Sequence, residues 1–414
     1  MRSLHLVESR PTVLAITDAE ADALSRAGNR LASDRRWWGD EVPTADRTVI
    51  SCVQVDNGQW SVTVRDAIGL VVVESSLQLT VAPKIPMAHL LYLAERAKYV
   101  PRLDPQRATK KKAESLWELV AEWFVGALEG LMRRDFLRDY EEVLDESPAA
   151  RGLIRPLDTA VAFYNGRLVM VCEFDEFGFD TPLNRVLRAA MALVVSSPYL
   201  RAPLRDSARR LLWRMDEVGS LRSDDLRVRP DRRSAHYADA LILARHVLQG
   251  AGRSLEHGVE PVWTFLIRTP TLVEEGILQV LTACSSVRVM KRGLQLQGST
   301  LTVNPDLVFE EGPNVVAVGD VKYKIASEEW RRGDLYQVVA FGTAYRVSQA
   351  ALCDFLVGDG IALQPVAVGD LKVHHFAWRA TEERSPVESA ELLVKQVDEW
   401  GDGAVRTLRL ASVA

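Results

Sequence analysis

Asp306, Asp320 and Lys322 are the residues of this sequence whose types and spacing most directly suggest chemistry. They fall in the run Asn304 to Lys324, where two apolar stretches flank Gly312-Pro313. A hairpin centred on that turn sets Asp306 close to opposite Asp320, and period-two alternation sets Lys322 on the same strand face as Asp320. Directly opposed residues have Cβ atoms about 4.5–5.5 Å apart, so two carboxylates there repel unless one is protonated or a cation joins them. A divalent metal held by Asp306 and Asp320 resolves the conflict. Oxygen donors without His or Cys point to Mg²⁺ or Mn²⁺, which can polarise a phosphoryl oxygen and lower the pKa of a bound water. Lys322 then either stabilises charge on a phosphorane-like transition state or helps to deprotonate the attacking water, and the residues alone leave both roles open. The plainer alternative makes Asp306 a turn cap and Asp320–Lys322 a solvent-exposed ion pair. Against it, the apolar run Val315 to Val318 suggests a buried strand, where charge is expensive.

The elements around these residues predict a mixed α/β unit over 256–414. It starts with a buried-looking strand, Val262 to Ile267, and a helix to about Thr282. Strands follow at 287 to 291, 301 to 309 and 315 to 323, then a helix from Glu328 to about Ala350. Residues 1–105 read as a β-rich domain with strands at 48 to 53, 60 to 64, 69 to 73 and 77 to 81, interrupted by a helix from Asp18 capped by Thr17-Asp18-Ala19-Glu20. Residues 106–255 read as a connector and mainly helical segment, whose helical block from Thr181 to about Gln249 reads as a spacer and lid. It holds a charged connector (Arg102 to Lys112), a helix from Glu114 to about Asp135, strands in 151 to 173 and helices from Thr181 to about Gln249. Ten Arg against six acids in 201 to 233 form a local cationic excess that either faces phosphates or is a salt-bridged surface.

Composition removes several classes of function. At 414 residues the chain exceeds one ordinary core, and 47% hydrophobic with 26% charged residues is globular. A net charge of −5 gives no global field toward nucleic acid, so any polyanion site must be local. Cys52, Cys172, Cys284 and Cys353 are scattered, which argues against a zinc knuckle or a disulfide framework. The longest apolar run, Ala189 to Val195, is far below the ~20 residues of a membrane span, and Glu8 and Arg10 interrupt any leader-like stretch. A cytoplasmic protein without membrane contact is expected. The sequence lacks a P-loop, His-Glu-x-x-His and Gly-x-Ser-x-Gly. His236 and His246, before and within a helix, read as structural, and the adjacent His374 and His375 read as opposed side chains on a late strand.

Pro305-Asp306, followed by Asp320-Val321-Lys322, resembles the signature of PD-(D/E)xK nucleases, the superfamily of restriction-endonuclease folds. More of the chain is similar to the McrC family, the nuclease subunits of McrBC-type modification-dependent restriction systems. The matching segments are Asp320 to Lys324, Asp334 to Phe341 with its Tyr336-Gln337, the Asn184-Arg185 helix from Thr181 to Leu187, and Ile68-Gly69 with Leu77 to Ile85. The resemblance implies a restriction-endonuclease-like domain and a Mg²⁺-dependent DNA endonuclease. It places Glu274 at the first-helix acid, with Glu275 as a neighbouring competitor, and Gln337 as a helix-borne residue orienting the site. Tyr323 and Lys324 become candidates to contact DNA. It further implies an AAA+ GTPase ring resembling McrB as partner, which alone binds GTP, and double-stranded, methylated DNA as substrate. Residues 1–105 would dock on that ring and stimulate its GTPase, with Trp37, Trp38 and Trp60 as contact or core residues, and nuclease subunits would pair within the assembly. Other outcomes are a non-catalytic adaptor of nuclease fold, or a related nuclease of a different defence or repair system.

Overall fold

The computed structural model describes residues 1–33, 48–56, 58–73, 76–100, 116–134, 136–254, 262–358 and 360–411, with side chains undescribed at 250–254 and 402–411. Trp37, Trp38 and the whole 102–112 connector lie outside the described residues. The N-terminal strands are β1 (Arg2–Val7), β2 (Thr12–Leu14), β3 (Ile50–Asp56), β4 (Gln59–Val64), β5 (Ala67–Val73) and β6 (Leu77–Ala82), with helices α1 (Asp18–Ser33) and α2 (Met87–Arg96). The capping box forms as expected. The Glu20 N–H donates to Thr17 Oγ1 at 3.2 Å, and the Thr17 N–H donates to Glu20 Oε2 at 2.8 Å. Leu24 and Ala27 of α1 pack with Leu6, Val62, Val71 and Leu79 into one apolar core, and the half-buried Trp60 leans on its edge.

The chain then enters a separate unit, residues 112–252. It comprises α3 (Leu116–Arg134), β7 (Asp139–Ser147), β8 (Leu153–Ile154), α4 (Pro156–Tyr164), β9 (Met170–Gly178), α5 (Pro182–Ser196), α6 (Ala202–Trp213) and α7 (Ala238–Gly250). Strands pair antiparallel in the order β7-β9-β8, while α5 packs on α6 and α7. A buried polar knot organises the unit. Arg185 donates to Asp225 at 2.9 and 3.1 Å and also pairs with Glu141 and Asp180. Asn184 donates to the carbonyls of Leu137 and Phe179 and accepts from the Tyr237 hydroxyl at 2.9 Å. Burial alone would lower the Arg185 pKa, but its carboxylate partners drive it above the usual guanidinium value.

The last third returns through β10 (Ala251–Ser254) and β11 (Val262–Arg268). It continues with α8 (Pro270–Cys284), β12 (Arg288–Met290), β13 (Leu294–Gln295), β14 (Thr302–Val303), β15 (Leu307–Glu311) and β16 (Asn314–Ile325). Helix α9 (Arg332–Tyr345), β17 (Gln349–Leu356), β18 (Val366–Val368), β19 (Leu371–Arg379) and α10 (Pro386–Ala411) complete it. A mixed six-stranded sheet runs β12-β15-β16-β17-β19-β18, with β16, β17 and β19 parallel. The mixed α/β class is as expected. The helix expected to reach Ala350 stops earlier, because Arg346 turns left-handed at φ 55° and Gln349 starts a buried strand.

The contacts also divide the chain differently from the three consecutive segments. Strand β11, expected to open a C-terminal domain at 256, pairs residue for residue with β5, in the sheet order β1-β6-β5-β11-β10. Gly69 makes that pairing tight: its φ is +142°, and a Cβ there would lie 2.0 Å from the Phe265 carbonyl oxygen. Trp378 Nε1 on β19 donates to His89 Nδ1 on α2 at 3.0 Å, so Nε2 carries the proton and donates to the Thr381 carbonyl. Residues 1–111 and 253–414 therefore form one unit, in which the five-stranded and six-stranded sheets are the largest. Burying hydrogen-bonding edges against distant strands joins them more firmly than proximity in sequence.

Candidate active site

Strands β15 and β16 pair with Leu307 opposite Gly319 and Val308 opposite Val318, so the next pair along is Asp306 and Asp320. Gly312 closes the turn at φ +58°, and a register shift between Phe309 and Glu310 accommodates the odd residue near it. Apolar neighbours Leu307, Val318 and Val321 are buried, which carries Asp306 and Asp320 inward to 9% and 2% exposure. Asp306 Oδ2 accepts from the Val321 N–H at 2.9 Å, and Lys291 reaches its other oxygen at 3.7 Å. Lys322 Nζ lies 2.7 Å from Asp320 Oδ2 with its side chain largely shielded, so the ion pair exists but is not solvent-exposed.

That contact has ion-pair distance without hydrogen-bond direction, and Asp320 Oδ2 is a buried oxygen with no directed donor. The distance governs the Coulomb attraction and the missing direction leaves the lone pair unused, so the two observations are compatible. Burial first, and then the Asp306 carboxylate, push the Asp320 pKa up to about 7, against the attraction of Lys322. Burial pulls the Lys322 pKa down, but Asp320, Asp306 and Glu274 outweigh it and raise the value, keeping the ammonium charged.

Glu274 and Gln337 join this corner from two helices. Gln337 on α9 donates to Asp320 Oδ1 at 3.4 Å, the long end of a hydrogen bond, and Val338 and Phe341 anchor the helix beside β16. Glu274 on α8 lines a cleft of about 640 Å³ with Lys322, Gln337 and Lys324. Glu275 instead accepts from Gln279 one turn along the helix at 2.7 Å, so Glu274 is the acid that the fold presents to the cleft. Lys324 is tied to the buried Asp334 at 2.7 and 2.9 Å. Tyr323 is buried edge-on against Phe355 and supports the strand.

Sequence reasoning missed the N-terminal wall of the cleft, made by Ser9, Arg65, Asp66 and Lys84 together with Arg268. Only the Pro83-Lys84 match hinted at it, since a wall built by β5–β11 pairing leaves no local spacing signal. His375 is likewise occupied, at 2.8 Å from Asp354 on β17.

The donor set suits a hard cation. Mg²⁺ keeps several waters and needs only one or two carboxylates, which Asp306 and Asp320 provide. Among the described residues no group of three or more His, Cys, Asp or Glu is arranged for a metal, so a site of the all-protein type is not formed.

Residues 62–357 match the family model described as "McrBC 5-methylcytosine restriction system component". The fold is similar to a chain of the Thermococcus gammatolerans assembly described as McrB AAA+ hexamers with bound McrC, at TM-score 0.65 and 16% identity, covering 96% of this chain and 100% of that one. A second chain, from the Thermococcus gammatolerans McrBC complex, aligns at TM-score 0.47 and 19% identity over 68% of this chain and 87% of that one. Comparison with curated proteins gives no match.

Proposed function

The chain belongs to the family of McrBC 5-methylcytosine restriction system components, and from that membership we propose that it is the nuclease subunit of such a system. In this reading the α/β unit is a PD-(D/E)xK endonuclease domain that hydrolyses phosphodiesters in methylated double-stranded DNA. The observation carrying it is the convergence of Asp306, Asp320 and Lys322 at one buried corner, where Asp320 Oδ2 has no directed donor. Asp306 and Asp320 are the residues that hold Mg²⁺ or Mn²⁺, which when bound supplies phosphoryl polarisation and an acidified water. Lys322, kept charged by its carboxylate neighbours, acts on charge developing at the phosphate rather than as a base. Gln337 fixes the orientation of Asp320, and Glu274 adds an acid on the other side of the cleft.

The similar Thermococcus assembly contains McrB AAA+ hexamers with McrC bound. By analogy the partner here is an AAA+ GTPase ring, with GTP bound only by the partner, GTPase stimulated by this chain and nuclease subunits paired in the assembly. Residues 1–105 were expected to dock on the ring, but apolar exposure favours a different surface. Leu157 and Leu168 are each 83% exposed and Tyr164 is 95% exposed, and Tyr140, Leu144, Leu153 and Phe177 lie open in the same 139–178 stretch. Such a concentration marks an interaction site, and we assign it to the ring.

The test mixes the full chain with its AAA+ GTPase, GTP, Mg²⁺ and methylated or unmethylated DNA. Asp306→Ala, Asp320→Ala and Lys322→Ala should each lower cleavage by roughly 10²-fold or more while GTPase stimulation persists. Full cleavage by these variants would refute the site, and an adaptor role predicts no cleavage by the parent chain.

A further inference from the structure

Lys84 follows β6 and lines the same cleft as Lys322. Its ammonium stands 4.1 Å from the centre of the Tyr323 ring, on the strand that carries Asp320. The neighbouring lysines are already engaged: Lys322 faces Asp320 and Lys324 is chelated by Asp334. Lys84 Nζ forms no ion pair or hydrogen bond among the described residues, although Glu8 and Asp66 act on it at longer range.

The surroundings hold this cation without consuming it. Glu8 is 1% exposed, accepts from the Thr269 hydroxyl with one oxygen and interacts with the Tyr323 hydroxyl. The Thr269 N–H in turn donates to the Asp66 carbonyl at 3.1 Å, fixing the start of α8 against the N-terminal strands. Tyr323 supplies a cation–π seat. Burial, Lys324 and Arg331 favour loss of the Lys84 charge, against Glu8 and Asp66, so a bound anion would relieve that strain. Half-buried and with its donors unused, Lys84 has the chemistry of a phosphate ligand.

We propose that Lys84 is a further substrate-binding residue of the cleft, contacting a DNA phosphate neighbouring the one at Asp306 and Asp320. This rests on the nuclease reading above. The N-terminal sheet is then part of the cutting machinery, with Glu8 and Tyr323 as positioning residues for Lys84.

Binding of a fluorescein-labelled duplex to the full chain, followed by anisotropy in EDTA over a salt series, isolates the contact from cleavage. Lys84→Gln should weaken binding several-fold and make the log–log salt slope shallower by about 0.9, the signature of one lost phosphate contact. Lys84→Arg should restore both. The parent chain provides a second reading that does not depend on folding of the Gln variant: duplex should protect the Lys84 amine from acetylation. An unchanged slope in a folded Gln variant, or an unprotected amine, overturns the proposal. Normal cleavage by Asp320→Ala would instead defeat the nuclease reading, and leaves the metal-free binding result to be judged by itself.

Discussion

Asp320 at 2% exposure and Tyr164 at 95% show two opposite uses of side chains in the two units. In the unit of residues 1–111 and 253–414, charged groups are pulled inward: Asp320, Asp306 and Glu8 are buried, and Lys322 lies against Asp320. Each is costly, and together they leave an oxygen without a directed donor and a carboxyl titrating near neutrality. In the unit of residues 112–252 the buried Arg185 is matched by Asp225, Glu141 and Asp180, while aromatic and aliphatic side chains of β7, α4 and β9 face outward. Unsatisfied polar groups invite a ligand or ion, and uncovered apolar ones invite a protein. Under the proposed function the contrast separates cutting from docking within one chain.

Substitutions in the outward face should break the comparison most visibly. Leu157→Asp combined with Tyr164→Asp should abolish stimulation of the partner GTPase, with the far-ultraviolet spectrum and thermal midpoint of the chain unchanged. These side chains are exposed, so their loss costs the isolated fold little. Stimulation at the parent level would return the docking role to residues 1–105. A smaller effect sharpens the contrast from the other side. Arg185→Met leaves Asp225, Glu141 and Asp180 without their guanidinium, and breaking such a buried pair costs about 3–5 kcal/mol. Denaturant unfolding should show that loss; a change below about 1 kcal/mol would mean that the knot behaves as a surface pair.

Much of the cutting corner was legible before the fold. The turn residues Gly312-Pro313 brought Asp306 close to opposite Asp320, but their direct opposition comes from the register shift between Phe309 and Glu310, which local spacing did not signal. The capping box at Thr17–Glu20 was equally readable because its geometry is local. What escaped was non-local. The pairing of β5 with β11 joins residues nearly two hundred positions apart, so segments expected as separate domains share a core and Lys84 enters the cleft. Strand β7 escaped for another reason: Asp-Tyr-Glu-Glu-Val-Leu-Asp-Glu-Ser carries too many acids to read as a strand, and it is held by nine pairs with β9. The Arg-rich stretch at 201 to 233 proved mixed, with Arg201, Arg209, Arg222 and Arg227 in ion pairs while Arg214 and Arg233 face a cavity with Arg138 and Phe179.

Mn²⁺ binding to the metal-free chain, measured by calorimetry across pH in the parent and in Asp320→Asn, tests the central claim most directly. Burial and Asp306 hold the Asp320 proton up to about pH 7, and the ion must displace it. The sign follows: below that pH affinity rises with pH, by about tenfold per unit for one released proton, and above it the dependence flattens. Asp320→Asn should lose the site. Equal affinity in the variant, or an affinity in the parent that is indifferent to pH between 5 and 7, would contradict a metal held between Asp306 and Asp320.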